Sequence, residues 1–398
     1  MNYSILGIVI LCLNLCCKKQ TKDLQSLSVT NIDLDSVKIN ASYSDIFDFS
    51  FIVLHDLPED EGIIHLEKIY KFQSGYVCWD NNYKTIYIFD NQGKYIDLIR
   101  KIGGGPEEYV DIGDVCFSES DQSIHILDRA HYLVKYDLQG NGISKVLLPE
   151  KSGNIIADFN GEIILYSGPR DNCVIWKLEQ GGTLNCFDLG SNVIEGSNVY
   201  TNQRFSRSPH TNNIYFTEAE SNVIYQLADQ KIQKRFVIDL ENNGGENRKI
   251  NRVSSSDKLL KDPSKPSIYN RGHLFSARSW IIFALRHNRI FGFWNRPTKY
   301  QPNEYILYHP KFGVFSSHNL EDDTGNFFYW RIRGAYDNAL IHHMYYQDVE
   351  RIINEGIDLR TENGGRVLDQ LDATSEVLML MKLKTMDPPF ANTFSSDN

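Results

Sequence analysis

The sequence predicts an all-β fold, a six-bladed β-propeller with a short helical insertion near the C-terminus. Segments 85–93, 133–140 and 174–181 each place an apolar strand before a polar turn that ends in glycine. Their final glycines are 47 and 41 residues apart, close to the roughly 40 to 50 residues of one propeller blade. Many strands are apolar on successive residues, which predicts burial on both faces, as in a blade packed between two neighbours.

Six such units follow one another along the chain. In the first three, another strand precedes the glycine-turn segment, at 75–80, 123–128 and 162–166. The other three units pair strands at 213–217 with 223–227, at 280–285 with 305–308, and at 327–332 with 377–383. The last unit lacks a fourth strand, so segment 49–54 is expected to complete it and close the ring.

Two insertions interrupt the repeat. Residues 241–267 are rich in Asn, Gly, Ser, Lys and Pro and predict a loop between the fourth and fifth blades. Residues 345–354 predict a helix whose apolar side is formed by Val349, Ile352 and Ile353.

The composition excludes several classes of protein. With 41 basic and 51 acidic side chains, the chain has a net charge of -10, which argues against a general nucleic-acid binder. Its 21 Phe, 22 Tyr and 5 Trp supply enough apolar surface to exclude disorder. There is no CxxC, HExxH or GxSxG motif, so the sequence predicts neither a metal nor a cofactor and identifies no catalytic nucleophile.

The first 17 residues carry no charged side chain and form an apolar run that ends in Cys16 and Cys17. The run is too short to cross a bilayer and is typical of a secretory signal. It resembles a bacterial lipoprotein signal, in which a cysteine becomes the lipidated first residue of the mature chain, and Cys16 is preferred to Cys17. Residues 18–44 then predict a polar tether, residues 45–386 the propeller, and residues 387–398 a C-terminal tail.

Four cysteines lie in the folded part of the chain: Cys78, Cys116, Cys173 and Cys186. The last two flank a glycine turn at roughly cross-strand distance, and an exported chain could oxidise them. Each of the four nevertheless lies in an apolar strand run, so buried thiols are the favoured interpretation.

A motif between the first two blades relates the chain to a known group of proteins. The segments Lys-Ile-Gly-Gly-Gly-Pro-Glu-Glu-Tyr at 101–109 and Ile-Gly-Asp at 112–114 resemble the signature of six-bladed β-propeller lipoproteins of anaerobic Gram-negative gut bacteria. The chain is similar, more distantly, to NHL-type and TolB-like propellers. The resemblance extends from the Phe-Asp-x-x-Gly turn at 89–93 to the strand at 377–384. It implies the fold and a lipid-anchored location in the cell envelope, but no reaction.

Several local features admit a functional interpretation and a structural one. The glycines at 103–105 could bind an anion, but a turn between blades is favoured because no Lys-Ser/Thr follows. The four acidic residues between Glu107 and Asp114 are read as a solvated acidic loop, since no EF-hand spacing is present. His342 and His343 are adjacent and would point to opposite faces of a strand, so ordinary structural roles are favoured.

Residues 265–345 differ in charge from the rest of the chain. They hold ten Lys or Arg and five Asp or Glu, a local +5 against -15 elsewhere, together with 18 of the 48 aromatic residues. Arginine pairs with carboxylates or phosphates and aromatic rings stack on sugars, although the same residues could be core aromatics with outward arginines. The predicted ligand-binding residues are Arg278, Arg286, Trp294, Trp330, Arg331 and Arg333.

Two classes of function are compatible with these observations. The favoured class is an envelope lipoprotein that acts as a non-catalytic binding or scaffolding propeller for an acidic glycan, a peptide or an envelope protein. The alternative is a propeller enzyme, such as a lyase, lactonase or hydrolase, with a site at the central channel. The absence of catalytic motifs from the sequence favours the first class.

Overall fold

The computed structural model is a six-bladed β-propeller, as the sequence predicts. It describes residues 28–38, 41–149, 155–159, 161–168, 173–179, 182–188, 203–208, 211, 213–219, 221–228, 231–239, 268–287, 303–317, 319–321, 332–354, 356–371 and 375–384. Each blade is a sheet of four antiparallel strands, and blades 4 and 5 each gain a fifth, parallel strand.

The strands of each blade are given from the channel outward. Blade 1 comprises β4 (Leu66–Phe72), β5 (Gly75–Asp80), β6 (Thr85–Asp90) and β7 (Tyr95–Ile99). Blade 2 comprises β8 (Ile112–Ser118), β9 (Ser123–Asp128), β10 (Tyr132–Tyr136) and β11 (Gly142–Leu147). Blade 3 comprises β12 (Ile155–Phe159), β13 (Glu162–Tyr166), β14 (Ile175–Leu178) and β15 (Leu184–Cys186).

The second half of the ring continues the pattern. Blade 4 comprises β16 (Phe205–Arg207), β17 (Ile214–Thr217), β18 (Val223–Ala228) and β19 (Lys231–Asp239). Blade 5 comprises β20 (Ile268–Ala277), β21 (Trp280–His287), β22 (Asn303–His309) and β23 (Gly313–Ser316). Blade 6 comprises β24 (Ile332–Tyr336), β25 (Ala339–Met344), β26 (Glu376–Leu383) and β3 (Phe47–Leu54).

The predicted ring closure is confirmed. The early strand β3 pairs antiparallel with the last strand β26 over eight residues, from Leu54 opposite Glu376 to Phe47 opposite Leu383. An early strand and the last strand of the propeller therefore share one blade, and β3 covers the edge of β26. Of the predicted strand at 327–332, only Ile332 lies within the described residues, where it begins β24.

The structure differs from the expected tether in residues 18–44. Strand β1 (Thr30–Asp33) pairs in parallel with β19, and β2 (Val37–Lys38) pairs in parallel with β23, with a 3-10 helix (Leu34–Ser36) between them. Ile32 is fully buried, and Leu34 is 7% exposed. Backbone pairing and a few buried apolar side chains therefore attach the segment to blades 4 and 5, a signal too sparse for periodicity to detect.

The hydrophobic core is divided among the junctions between blades. Six clusters of buried residues fill the six junctions, one for each pair of neighbouring blades. In β5 and β9 all six residues are buried, because each of these strands packs against a neighbouring blade on both faces. Full burial of one Ile, Leu or Phe side chain stabilises the fold by about 1.5–3 kcal/mol, so the apolar strands provide most of the stability.

Helices are few in the part of the chain that the structure describes. Helix α1 (Tyr43–Ile46) precedes β3, and helix α2 (Tyr346–Asn354) follows β25. As predicted, α2 buries Val349 and Ile352, and a 3-10 helix (Val367–Gln370) packs nearby against β3. None of the helices in the described residues is long and apolar enough to cross a membrane.

The cysteines differ from the expectation of four buried thiols. Cys78 and Cys116 are buried free thiols, as expected. Cys173 and Cys186 instead form a disulfide. Cys173 lies just before β14 and Cys186 ends β15, and the antiparallel pairing of these two strands brings the Cα atoms of the two cysteines to 5.8 Å. This separation is within the range that a disulfide requires. The cross-strand interpretation was therefore the correct one.

Candidate functional site

The first strand of each blade lines the central channel. These six inner strands are β4, β8, β12, β16, β20 and β24, and each is the inner edge of its sheet. Strand β4 contacts both β24 and β8, β8 contacts β12, and β20 contacts both β16 and β24. Because the blades are related by rotation about the channel axis, the inner strands all run in the same direction. Residues at their starts therefore meet at one mouth of the channel.

Bulges in three of the inner strands carry charged residues near that mouth. The pairing register shifts around Glu67 in β4, around Arg333 in β24, and across the segment that contains Arg271 and His273 in β20. A bulge redirects a side chain relative to the regular alternation of a strand, and bulges are over-represented next to functional sites. The regular pairing of the inner strands is therefore broken at the positions of these charged residues.

Two local features explain how the bulges are accommodated. A Cβ atom on Gly334 would lie 2.0 Å from the carbonyl oxygen of Ile69, so only glycine allows β24 to approach β4 this closely. In β20, the buried Asn270 accepts a hydrogen bond from the backbone N–H of Gly272 at 2.9 Å. Its Nδ2 donates to Thr217 Oγ1 at 2.8 Å. The amide of Asn270 therefore fixes the bulge against blade 4.

His65 lies at the entrance to β4 and is held from several sides. The carboxylate of Asp80 accepts hydrogen bonds from the backbone N–H groups of Ile64 and His65 at 2.6 and 3.0 Å. The imidazole Nδ1 lies 2.9 Å from the hydroxyl of Tyr345, and Nε2 lies 3.2 Å from Glu67 Oε2 and 3.0 Å from Arg333 Nη2.

The groups around His65 remain accessible. The His65 side chain is 29% exposed, that of Glu67 25% and that of Arg333 15%. Burial raises the pKa of Glu67, but the hydrogen bond to His65 and the charge of Arg333 outweigh it and leave this pKa below its ordinary value. Glu67 is therefore a carboxylate at neutral pH, paired with Arg333 at 3.6 Å.

The environment of His273 is electropositive. Burial, followed by the charges of Arg271 and Arg333, lowers the pKa of His273 to about 3, and Arg204 acts in the same direction. Its imidazole is therefore neutral at physiological pH. The Nδ1 atom of His273 is buried and makes no hydrogen bond within the described part of the chain. We refer to His65, Glu67, Arg271, His273 and Arg333 as the mouth cluster.

A buried ion pair supports the mouth cluster from blade 4. Arg204 and Glu218 are fully buried and form a direct ion pair, and the Arg204 guanidinium lies 4.8 Å from the centre of the Tyr166 ring. Burial raises the pKa of Glu218 to about 7, although Arg204 opposes the shift. Arg204 therefore adds a third guanidinium group to those of Arg271 and Arg333 near His273, with the carboxylate of Glu67 opposing them.

A second buried ion pair connects three inner strands. Lys68 Nζ lies 2.7 Å from Asp114 Oδ1, and both side chains are buried. Asp114 also accepts a hydrogen bond from the backbone N–H of Ile156 at 3.0 Å, so the pair links blades 1, 2 and 3. Asp114 therefore does not belong to a solvated acidic loop, contrary to the sequence-based interpretation, because the register of β8 turns its side chain inward.

A cavity of about 370 Å³ extends from these residues along the channel. All six inner strands or the residues adjoining them contribute to its lining. The wall includes Lys68, Glu119, Asp158, Arg207, Ser276 and Arg333, with the aromatic residues Tyr70, Phe117, Phe159, Phe205 and Tyr336. Arg333 belongs to both the wall and the mouth cluster, so the cavity and the cluster are adjacent.

The predicted ligand-binding residues are only partly brought together. Arg333 lies in the mouth cluster, whereas Arg278 occupies the turn after β20 with φ of 51° and donates its backbone N–H to Asp337. Arg286 lies near the end of β21, where its backbone pairs with Tyr269. Trp294, Trp330 and Arg331 fall outside the described residues, as do Cys16 and Cys17.

The sequence analysis missed several of the residues that the fold assembles. His65, Glu67 and Arg204 lie outside the charged region 265–345. For Arg333 and the segment 271–273, a usable signal was a charged residue beside glycine within an apolar strand, as in Ile-Arg-Gly at 332–334 and Asn-Arg-Gly-His at 270–273. His65, Glu67 and Arg204 carry no such signal. Among the described residues, no three His, Cys, Asp or Glu side chains are grouped so as to hold a metal ion.

Comparison with solved structures shows the same fold in Bacteroides proteins. A Bacteroides fragilis protein described as exported has a TM-score of 0.64 at 12% identity, covering 90% of this chain and 100% of its own. A member of the DUF4221 family from Bacteroides vulgatus has a TM-score of 0.54 at 12% identity, covering 86% and 99%. At these identities the likeness concerns the fold alone. No curated protein matches the sequence.

The sequence also matches a family model over most of its length. The model is described as a domain of unknown function, DUF4934, and it covers residues 31–380. The chain therefore belongs to the DUF4934 family. The match begins within β1, in agreement with the attachment of the N-terminal strands to blades 4 and 5.

Proposed function

We propose that this DUF4934 protein is a lipid-anchored protein of the cell envelope that binds a carboxylate-bearing ligand at the mouth of its channel. The ligand classes are those favoured by the sequence, an acidic glycan or an acidic peptide. The observation that carries the proposal is the geometry of the channel mouth, where Arg333 lies 3.0 Å from His65 and 3.6 Å from Glu67. The bulge of β20 that carries Arg271 and His273 lies in the neighbouring strand. Guanidinium groups bind carboxylates through paired hydrogen bonds, and a neutral imidazole can donate or accept another.

The charge balance of the region supports an anionic ligand. Three arginines act on His273 in one direction and Glu67 acts in the other, so the local field favours an anionic ligand. The arginines are positioned by strands and bulges rather than by loops, so little conformational entropy is lost when they bind. Because Arg333 is only 15% exposed, its attraction for an anion is less screened by salt than that of a surface arginine.

The location in the envelope is supported by independent observations. The disulfide between Cys173 and Cys186 is of a kind that persists in oxidising compartments outside the cytoplasm. A protein with the same fold is described as exported. Anchoring would use Cys16 or Cys17, at the end of the uncharged N-terminal run. Intact-mass measurement of membrane-extracted protein tests this part: acyl mass on a chain that begins at either cysteine supports it, and an unmodified chain beginning at Met1 contradicts it.

Titration calorimetry tests the binding site. With oligogalacturonate as the probe, Arg333→Gln is expected to weaken binding at least tenfold, because a charge-assisted bidentate contact is lost. Arg366→Gln is the matched control, since Arg366 pairs with Asp358 beside the 3-10 helix on the outer side of blade 6. Equal affinity of the two variants, or no binding by the wild-type protein of either oligogalacturonate or an oligoglutamate peptide, would contradict the proposal.

A second candidate function, catalysis in the channel, is favoured by the arrangement around His65. This imidazole lies between the Tyr345 hydroxyl and the Glu67 carboxylate and is accessible, as a general base must be. A lyase acting on uronates would produce an unsaturated sugar that absorbs ultraviolet light. If oligogalacturonate bound to the wild-type protein shows such absorbance, and His65→Gln abolishes it, the protein is a uronate lyase. If the sugar stays intact, His65 does not act as a base on this ligand.

A further inference from the structure

The contacts of the His65 imidazole cannot all be hydrogen bonds in one protonation state. Its Nε2 atom lies 3.0 Å from Nη2 of Arg333 and 3.2 Å from Oε2 of Glu67. A guanidinium group only donates and a carboxylate only accepts, so Nε2 can bond to Arg333 when it carries no hydrogen and to Glu67 when it carries one. The contact with Arg333 therefore belongs to the neutral imidazole, and the contact with Glu67 belongs to the protonated one.

The third contact of His65 is compatible with both states. Its Nδ1 atom lies 2.9 Å from the hydroxyl of Tyr345. A neutral ring that accepts from Arg333 carries its hydrogen on Nδ1, as a protonated ring also does, so Nδ1 donates to Tyr345 in either case. Tyr345 is itself fixed, because its carbonyl oxygen accepts hydrogen bonds from Asp348 and Val349 at the start of α2. The imidazole can therefore change its partner at Nε2 without rotating.

A change of partner at Nε2 alters the availability of Arg333. Its Nη2 lies 3.0 Å from His65 and its Nη1 lies 3.6 Å from Glu67, so both terminal nitrogens face neighbouring side chains. A carboxylate binds a guanidinium group best through two parallel hydrogen bonds. While His65 is neutral, a ligand must replace both neighbours. Protonated His65 instead donates to Glu67, leaves Nη2 to the ligand and adds a positive charge.

We propose that His65 is a proton switch of the mouth cluster: its protonation engages Glu67 and releases Arg333 to bind the carboxylate of the ligand. The protein then binds its anionic ligand more tightly at mildly acidic pH and takes up a proton on binding, because coupling between two binding events is reciprocal. Histidine changes its charge between about pH 5 and 8, whereas an ordinary carboxyl group loses its proton near pH 4, so the ligand stays anionic over this range. This inference rests on the proposed function and concerns the regulation of the same site.

Other titratable or charged groups lie on the elements around His65. They are Asp80 on β5, Arg271 and His273 on β20, Arg333 on β24, His343 on β25 and Glu376 on β26. His273 is neutral throughout this range, because its pKa is lowered to about 3. His343 is buried and pairs with Glu376 at 2.9 Å. Burial raises the pKa of Glu218, beside Arg204, to about 7, so this carboxyl group takes up a proton over the same range. A comparison of variants is therefore needed to isolate the contribution of His65.

Calorimetric titration of the full-length protein with oligogalacturonate at pH 5.5 and pH 8 tests the switch. The wild-type protein is expected to bind about five- to tenfold more tightly at pH 5.5, the lower end of the usual range for coupled sites, because His65 is 29% exposed. His65→Gln should lose most of this difference and most of the proton uptake, which titrations in two buffers of different ionisation enthalpy measure. Glu67→Gln should bind more tightly than the wild-type protein at pH 8, because it removes a competitor for Arg333, and the gain should be smaller at pH 5.5.

His55→Gln is the matched control. The His55 side chain is 30% exposed and lies 3.3 Å from the carboxylate of Asp56, just after β3 in the outer part of blade 6, so this variant should keep the full pH dependence. Equal affinity of the wild-type protein at the two pH values, or a full pH dependence in His65→Gln, would overturn the switch and leave the proposed function standing. Failure of both oligogalacturonate and oligoglutamate to bind at either pH would overturn the proposed function and the switch with it.

Discussion

The buried ion pair between Lys68 and Asp114 provides the sharpest test of how the blades are joined. Lys68 Nζ is 2.7 Å from Asp114 Oδ1 and 3.2 Å from the carbonyl oxygen of Val115, and Asp114 Oδ2 accepts from the backbone of Ile156. Neither charge reaches solvent. Replacing either partner alone leaves the other charge buried without compensation, whereas replacing both removes the two charges together.

The expected magnitudes follow from this burial. Lys68→Met and Asp114→Asn should each lower the free energy of unfolding by about 3–5 kcal/mol at pH 8. The loss of unfolding free energy in the double variant should be about 3 kcal/mol smaller than the sum of the two single losses, because the double variant buries no uncompensated charge. The amide oxygen of the asparagine at position 114 can still accept a hydrogen bond from the backbone. Urea unfolding followed by tryptophan fluorescence measures all four proteins. Additive losses would refute the pairing of these side chains across blades 1 and 2.

The same pair predicts a dependence on pH. Burial raises the pKa of Asp114 in the folded protein to about 6, from an ordinary value near 4, although Lys68 opposes the shift. The stability that comes from proton uptake by Asp114 is therefore fully present below pH 4 and is lost as the pH rises through about 6. In Lys68→Met the carboxyl can be buried as a neutral acid at low pH, so the loss of stability should be smaller at pH 5 than at pH 8. An equal loss at both pH values would contradict this reasoning.

Three further predictions concern the fold. Gly334→Ala should lower the free energy of unfolding by about 1–3 kcal/mol or more, because its Cβ would clash with a backbone oxygen of β4. Gly104→Ala should change this free energy little, because its Cβ would meet no atom within 4 Å. Calorimetric unfolding measures both variants. Cys173→Ser with Cys186→Ser should lower the free energy of unfolding by about 2–4 kcal/mol, because it removes a cross-link that spans 13 residues. Adding reductant to the wild-type protein should lower it by the same amount. A chain that begins at Gly62 lacks β3 and should lose cooperative unfolding, since β26 then becomes an open edge; an unchanged melting transition would show that β3 does not close the ring.

The repeat pattern was sufficient to predict the architecture, because each strand and turn of the pattern is formed by consecutive residues. The Asp-x-x-Gly turns illustrate this: Asp90 accepts hydrogen bonds from the backbone of Gln92 and Lys94, and Gly93 takes φ of 88°. Such a turn depends on four adjacent residues and is visible in any one blade. Ring closure was also predictable, since an apolar strand at each end of the chain had no other partner.

The candidate site was much harder to predict, because it depends on side chains that are distant in sequence. Arg333 was identified from the local excess of positive charge, but His65, 268 residues away, was not. The fold brings them together through bulges, and a bulge shifts the pairing register without changing the apolar pattern that sequence analysis detects. The two buried ion pairs were hidden for a similar reason, since Lys68 and Arg204 resemble exposed residues until their acidic partners are located.

A crystal structure of the protein bound to oligogalacturonate tests the central claim most directly. We predict a uronate carboxylate within hydrogen-bond distance of the guanidinium groups of Arg271 and Arg333, at the mouth of the channel. The same crystal should show His65 still in contact with Tyr345, since the mouth cluster is preformed. An oligosaccharide bound on the outer strands of the blades, with the channel mouth unchanged, would contradict the account.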